Sequence, residues 1–464
     1  MQHHDLHKRA DVQALCGGIE ADIGRHRLVR EEIVETALIG NLMNEAALAH
    51  DAKKIGLEGH GIGSGWKEGS RFWRGVRAGF NTEIMSETRF GYVRTAIGLM
   101  SGTSMDGIDV ALIRSDGEEV VDRGPSFFAP YEVAFRKRLI AGLEDAKSIS
   151  HRNERPGALA DVEKEITERH AAAVESFCQR FDISPGKVDL IGFHGQTVLH
   201  RPRQVLTVQI GDGQQLATVT GIATISDMRA NDMAHGGEGA PLVPAYHAAL
   251  AKLINAEKET IAFVNIGGIA NVTFVQPGEP PVAFDCGPGN ALLDQWMQQK
   301  AGIDFDQNGT IASEGRVNED VLEAYLADAF FEETGPKSLD RNDFSLERMG
   351  NAELHDGAAT LAQLTATAIL RAAELVGVKP ARWIVAGGGA RNAAIMHFLR
   401  SAAIAASVQT AEDCGLSGDM MEAEAWAFLA IRSADGLPLT WPTTTGVSKA
   451  VTGGLLHHPG GAPV

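Results

Sequence analysis

Twice in this 464-residue chain an apolar strand runs into a glycine-rich turn and a second apolar strand runs out again. The first instance is Gly98-Leu-Met-Ser-Gly-Thr-Ser-Met-Asp-Gly-Ile-Asp-Val-Ala-Leu112, and the second is Val264-Asn-Ile-Gly-Gly-Ile-Ala-Asn-Val-Thr-Phe-Val275. Glycine lets a backbone curl until successive N–H groups point at one anion. In the first turn Gly102 and Gly107 give that freedom, Thr103 and Ser104 add hydroxyl donors, and Met105 and Ile108 contribute backbone. Asp106 and Asp109 add hard oxygen ligands for Mg2+ or its waters. Taken alone, this turn is read almost as easily as a decorated β-hairpin. Its recurrence, with Gly267, Gly268 and Asn271 in the second copy, favours two loops clamping a polyphosphate from opposite sides of a cleft. A third cluster, Gly387-Gly388-Gly389, follows an apolar run and opens a helix, where a base or ribose can pack on bare backbone. The pattern G-x-x-x-x-G-K-[ST] is absent, so the ATP expected here is not held by a P-loop.

Apolar periodicity sets these loops in an alternation of strands and helices. Strands are expected at 95–100, 110–114, 189–193, 206–210 and 222–226, and again at 261–275, 282–285 and 383–386. Helices are expected at 136–143, 159–181, 242–253, 290–301, 319–326, 358–376 and 422–432. Strands grouped at the head of each half, then β/α alternation, predict two related α/β domains, 85–255 and 256–464. Residues 1–84 read as an extension, poorly ordered or helical in part around 30–52, with His3, His4 and His7 in a solvated tail. Met85 then stands as an alternative start.

Composition excludes several functions. A formal charge of -18 argues against nucleic acid or an anionic membrane surface as partner, because phosphate backbones demand a basic face. The cysteines, Cys16, Cys178, Cys286 and Cys414, form no C-x-x-C pair, which fits reduced thiols in the cytoplasm. No apolar run reaches the length of a membrane span. Asp304-Phe-Asp306-Gln-Asn308-Gly309 imitates a calcium loop, but Glu314 falls one residue short of its twelfth position, so an Asx-rich turn before a helix is expected.

The motifs SGTSMDGID from Ser101, HGQT from His194, QIGDG from Gln209, DMRANDMAHGGEGAPLVP from Asp227, VNIGGIAN from Val264, FDCGPGN from Phe284, GGGARN from Gly387 and DMMEA from Asp419 occur in that order. Together they resemble the anhydro-N-acetylmuramic acid kinases, from about Thr95 to the end of the chain. The resemblance implies two actin-like (ribonuclease H-like) domains around an interdomain nucleotide cleft. It implies ATP and Mg2+, a small amino sugar as substrate, and a homodimer. It places the ATP loop on residues 102–109, the catalytic aspartate on Asp227 and a sugar-contacting glutamate on Glu422. His194, Gln196 and Gly237 are further candidates for the sugar side. Where the family usually reads G-G-Q-G-A-P, this chain has Glu238, which loses an amide donor and adds a charge.

The implied reaction converts ATP, water and 1,6-anhydro-N-acetylmuramic acid into ADP and N-acetylmuramic acid 6-phosphate, in peptidoglycan recycling. It needs a carboxylate to take a proton from water as the anhydro bond breaks, a role suited to Asp227. Rival readings are an actin-like kinase for an intact hexose, a catalytically silent nucleotide-binding regulator, and a glycosidase using Asp227 and Glu422 without ATP.

Overall fold

A computed structural model describes residues 92–339 and 343–461, which belong to one compact unit of the chain. The expectations for residues 1–84, including the helix near 30–52, lie outside the described residues. In chain order the strands are β1 Arg94–Ser101, β2 Gly107–Ser115, β3 Val121–Pro130, β4 Leu190–Arg201, β5 Leu206–Ile210, β6 Thr224–Ser226, β7 Ile261–Ile266, β8 Ile269–Val275, β9 Val282–Pro288, β10 Arg382–Ala386, β11 Ser407–Thr410 and β12 Leu455–His457. The main helices are α1 Val133–Ala146, α2 Leu159–Arg180, α3 Gly213–Thr220, α4 Ala230–Ala234, α5 Pro244–Leu253, α6 Asn290–Ala301, α7 Thr310–Glu314, α8 Glu319–Leu326, α9 Leu354–Leu375, α10 Ala393–Ala402 and α11 Met421–Ala434.

The strands form two sheets of one plan. The first runs β12-β6-β4-β1-β2-β3, with β5 paired to β4, and the second runs β11-β10-β7-β8-β9. In each, three antiparallel strands (β1-β2-β3, β7-β8-β9) are followed by strands parallel to the first of them (β4 and β6, β10 and β11). Without β5 and β12 the two orders coincide. The chain is thus an actin-like α/β protein, its two ribonuclease H-like sheets built by repetition.

Side chains alternate across both sheets, as the period of a strand requires. On β1, Ile97 and Leu99 join the cluster under α1 and α2, while Ala96 and Met100 face the other way. On β7, Ala262, Val264 and Ile266 face α6 and α9, while Ile261 and Phe263 face inward. The inward faces of both sheets share one apolar cluster with α5 and α11, so these two helices form the middle of five layers. Here α11 lies on the first sheet with almost no side chain between. Gly98 and Gly192 are register partners on β1 and β4, and a Cβ would stand 1.8 Å from the Ala423 carbonyl oxygen at Gly98 and 2.0 Å from that of Trp426 at Gly192. After α11 the chain ends in the first sheet, where β12 pairs antiparallel with β6.

Candidate active site

The 102–109 turn is tied down from beneath. Ser101 Oγ donates to Gln196 Oε1 at 2.6 Å and lies 2.9 Å from the Tyr131 hydroxyl, while Gln196 Nε2 donates to the Gly102 carbonyl at 3.1 Å. The Met105 amide donates to the same carbonyl at 3.2 Å, Arg136 Nη2 donates to the Ser104 carbonyl at 3.1 Å, and the Tyr131 amide donates to the Asp106 carbonyl at 2.7 Å. With these carbonyls engaged and the Ser104 hydroxyl donating to Asp106 Oδ1 at 2.6 Å, exposed Thr103 carries the hydroxyl left to an anion, beside the backbone of the turn. Gln196 is buried and both ends of its amide are bonded, so in this geometry it fixes the loop.

Negative charge gathers where this turn enters β2. Asp109 is pushed up to about 7, first by burial and then by the charges of Asp106, Glu422 and Asp419. Burial also raises Glu422, and Arg229 opposes that shift. Among the described residues no three ligating side chains converge closely enough to enclose a metal ion. Asp106 and Asp109 offer carboxylate oxygens of the kind Mg2+ takes one or two of, alongside water and phosphate oxygens. Asp419 also accepts two hydrogen bonds from Arg391 Nη2, at 2.6 and 2.7 Å, linking this region to the third glycine cluster.

The second hairpin is closed by the start of α6. The amides of Gly289 and Ala291 donate to the Gly268 carbonyl, and that of Asn290 donates to Gly267. Gly387 (φ 80°) and Gly389 pack against β7 so closely that a Cβ would lie 2.4 Å from Asn265 Oδ1 and 2.2 Å from Ile266, respectively. Gly388 has only Asn290 Nδ2 near its missing Cβ, at 3.5 Å, and faces a cavity of ≈ 460 Å³ shared with Asn290, Phe305 and Asn392. Asp306, from the false calcium loop, accepts the amides of Ile311 and Ala312 and so caps α7.

Asp227 follows the last residue of β6 with φ at 57°, a left-handed conformation that non-glycine residues rarely hold and that clusters at functional sites. It accepts a 2.5 Å hydrogen bond from Arg152 Nη2, and it lines a cavity of ≈ 330 Å³ with His194, Gln209 and His457. One wall is held by Arg229. Its Nη1 donates to the Gly239 carbonyl at 2.8 Å, its Nη2 donates to His194 Nε2 at 3.3 Å, and its guanidinium lies 5.3 Å from the Trp426 ring centre. Burial lowers Arg229 to about 10, against the pull of Glu422 and Asp232. Because arginine only donates, His194 Nε2 accepts and Nδ1 carries the proton toward the Ser101 carbonyl, 3.3 Å away. Burial, then Arg229, keeps that imidazole neutral.

Glu422 stands in a neighbouring cavity of ≈ 300 Å³ between the sheets, with Arg229, Asn271, Asp285, Lys337 and Glu238. The charge introduced by Glu238 therefore falls inside the cleft, where it helps raise Asp285, already lifted by burial, to about 6. Gly237 lies beneath this turn: a Cβ there would come within 2.2 Å of Asp232 Oδ2. The structure thus brings Asp227 and His194 to one cavity, Glu422 and Asn271 to a second, and Gly388 to a third. Arg229 joins the first two. Reading by sequence left out Arg152 and the linking role of Arg229, although the D-M-R of the motif contains the latter.

Comparison with known proteins agrees with this geometry. The family model described as anhydro-N-acetylmuramic acid kinase matches residues 94–459. The anhydro-N-acetylmuramic acid kinase of Rhizobium etli is 52% identical over 367 residues, 79% of this chain and 99% of that protein. Those of Agrobacterium fabrum (52% over 369 residues) and Brucella canis (50% over 370) also cover 79% of this chain and 99% of the relative. Among solved structures, component A of the (R)-2-hydroxyglutaryl-CoA dehydratase of Acidaminococcus fermentans is 12% identical with a TM-score of 0.40, covering 74% of this chain and 99% of that one. At that level the likeness adds nothing to the strand order.

Proposed function

The chain belongs to the anhydro-N-acetylmuramic acid kinase family, and from that premise we propose that it uses ATP and water to convert 1,6-anhydro-N-acetylmuramic acid to N-acetylmuramic acid 6-phosphate. The observation that carries this reading is Asp227: a carboxylate at a strand end, in a left-handed conformation, lining a polar cavity that Arg229 joins to the cavity of Glu422. A kinase for an intact sugar needs a base for a hydroxyl. Opening an anhydro ring needs a base for water as well as a phosphate site, and Asp227 and the 102–109 turn are the groups we assign to them.

In the proposed reaction the 102–109 turn receives the phosphates of ATP, with the second hairpin at 267–271 opposite and the base and ribose against residues 387–389. Asp106 and Asp109 would hold Mg2+, directly or through water, and the ion when bound offsets charge on the transferring phosphoryl group. Asp227 takes a proton from water, whose oxygen bonds to the anomeric carbon as the bond from that carbon to O6 breaks. The electron pair left on O6 attacks the γ-phosphorus, and ADP departs with the β–γ bridging oxygen. His194, locked by Arg229 and Ser101, shapes the wall beside Asp227, and Glu422 contacts the sugar from the adjoining cavity. The product fits peptidoglycan recycling in the cytoplasm, and no helix among the described residues is long and apolar enough to cross a membrane. We read the two sheets as the cores of the two lobes, so that the second lobe expected at 256–464 returns its last strand, β12, to the first, and we read the working form as a homodimer.

The test is ATP consumption with and without the anhydro sugar, in ¹⁸O-labelled water. The proposed reaction gives ADP and a sugar phosphate together, with the label at the anomeric carbon. An unlabelled product or one made from an intact hexose alone, sugar opening without ATP, or no turnover with either substrate would each replace this reading by one of its rivals.

A further inference from the structure

Arg152 is the exposed cation at the mouth of the cavity that holds Asp227, and the loop carrying it is pinned on both sides. At one end the Ala158 amide donates to Asp145 Oδ2 at 3.0 Å. In the middle Arg155 grips Glu163 through Nε and Nη2, both at 2.7 Å, and donates from Nη1 to the Arg152 carbonyl at 2.8 Å. Glu163 in turn accepts the Gly211 amide, in the opposite wall of the cavity, at 3.1 Å. Arg155 is therefore occupied in structure. Arg152 is not: its side chain is 46% exposed, and among the described residues Asp227 is the side chain its guanidinium meets. This pairing engages the carboxylate proposed as the base. The cavity also presents Gln209 Oε1, a buried carboxamide oxygen with no donor among the described residues.

Resting on the proposed reaction, we infer that Arg152 is a specificity-determining residue that binds the carboxylate of the sugar's acidic ether side chain, and that in doing so it releases Asp227. A muramic acid differs from the corresponding glucosamine by that ether side chain, whose carboxylate is its one charged group. An arginine fork matches carboxylate geometry, and one guanidinium edge that exchanges Asp227 for the substrate carboxylate keeps its charge paired throughout. The base is then masked in the empty enzyme and unmasked by an acidic sugar. Arg152 acts on the reaction through Asp227 and on selectivity through the carboxylate.

The experiment compares the full-length enzyme with Arg152→Ala and Arg152→Lys on two sugars, 1,6-anhydro-N-acetylmuramic acid and 1,6-anhydro-N-acetylglucosamine, at saturating MgATP. For Arg152→Ala, kcat/KM on the acidic sugar should fall roughly 10- to 100-fold, as expected for a lost charge-assisted contact, while the neutral sugar is turned over as well as before or better. Arg152→Lys should recover part of the preference, since it restores the charge without the fork. If Arg152→Ala lowers both sugars by the same factor, or leaves the preference intact, Arg152 does not read the carboxylate. A wild-type enzyme inactive on the acidic sugar refutes the proposed reaction itself, and this inference with it.

Discussion

Replacing Asp227 by Asn separates the chemistry from the fold. The two side chains have the same shape, and asparagine tolerates the left-handed backbone at φ 57° as well as aspartate, so the change introduces no strain. What is lost structurally is the ion pair with Arg152, whose side chains are 46% and 20% exposed. A pair so open to solvent contributes about 0–1 kcal/mol, which lowers Tm by at most about 2–4 °C. What is lost chemically is the proton acceptor proposed for water, and removing a positioned general base costs about 10²–10⁴-fold. The variant should therefore melt close to the wild type and bind ATP as tightly by calorimetry. In steady-state ADP release with the anhydro sugar and saturating MgATP, kcat should carry the loss, and KM should move little. A folded Asn variant with near-native kcat would show that another group takes the proton, and the assignment of Asp227 would be withdrawn.

Three further outcomes follow from the geometry. Gly102→Val should fold, because a Cβ at Gly102 meets nothing closer than Ser104 Oγ at 3.7 Å, yet it should bind ATP more weakly by crowding the anion side of the turn; unchanged affinity by calorimetry would remove the phosphates from this loop. Gly98→Ala places a methyl group where the Ala423 carbonyl stands, so α11 must retreat, costing about 1–3 kcal/mol or more by overpacking and reducing turnover through Glu422; an unshifted thermal midpoint would contradict the contact. Asp285 holds its proton up to about pH 6 in the folded state against an ordinary value of 3.8. The folded state therefore binds more protons across that window, and this group's stabilisation, present below pH 3.8, is lost as pH rises through 6, by at most about 3 kcal/mol. Chemical denaturation of wild type and Asp285→Asn from pH 4 to pH 8 should show the variant gaining on the wild type as pH rises, and parallel curves would refute the shift.

Elements with their own local signals were legible in the sequence. Strand β5 and helices α6 and α8 occupy the residues expected, and the two helices show why: α8 is capped at its start by Asn318, whose side chain accepts the Val321 amide, and α6 is stopped by Gly302 with φ at 66°. Strand β3 was not legible, because Val-Asp-Arg-Gly-Pro-Ser-Phe-Phe-Ala-Pro carries the residues that break strands. It exists as an edge, where a proline's missing donor is tolerated. Strands β11 and β12 are four and three residues long and are strands only because β10 and β6 pair with them. The run expected at 222–226 shortens to β6, Thr224–Ser226. At the candidate site the glycine turns could be read because a backbone requirement is written in adjacent residues. Arg152 could not, since it lies 75 residues before Asp227 and belongs to no periodic segment. Gln196 was expected on the sugar side; its partners Ser101 and Gly102 are 95 and 94 residues away in sequence, and they hold it under the 102–109 turn.

The chain passes between its two sheets twice, once after α5 on the way to β7 and once from β11 back into α11. A body tied to another at one point can turn in any direction, whereas one tied at two points turns only about the line through them. Both tethers enter the shared middle layer, where α5 and α11 lie between the sheets. A relative movement of the sheets large enough to alter the cleft is thereby reduced to a single swing, like a door on two pins. Glu422, in the first turn of α11, stands beside one of those pins.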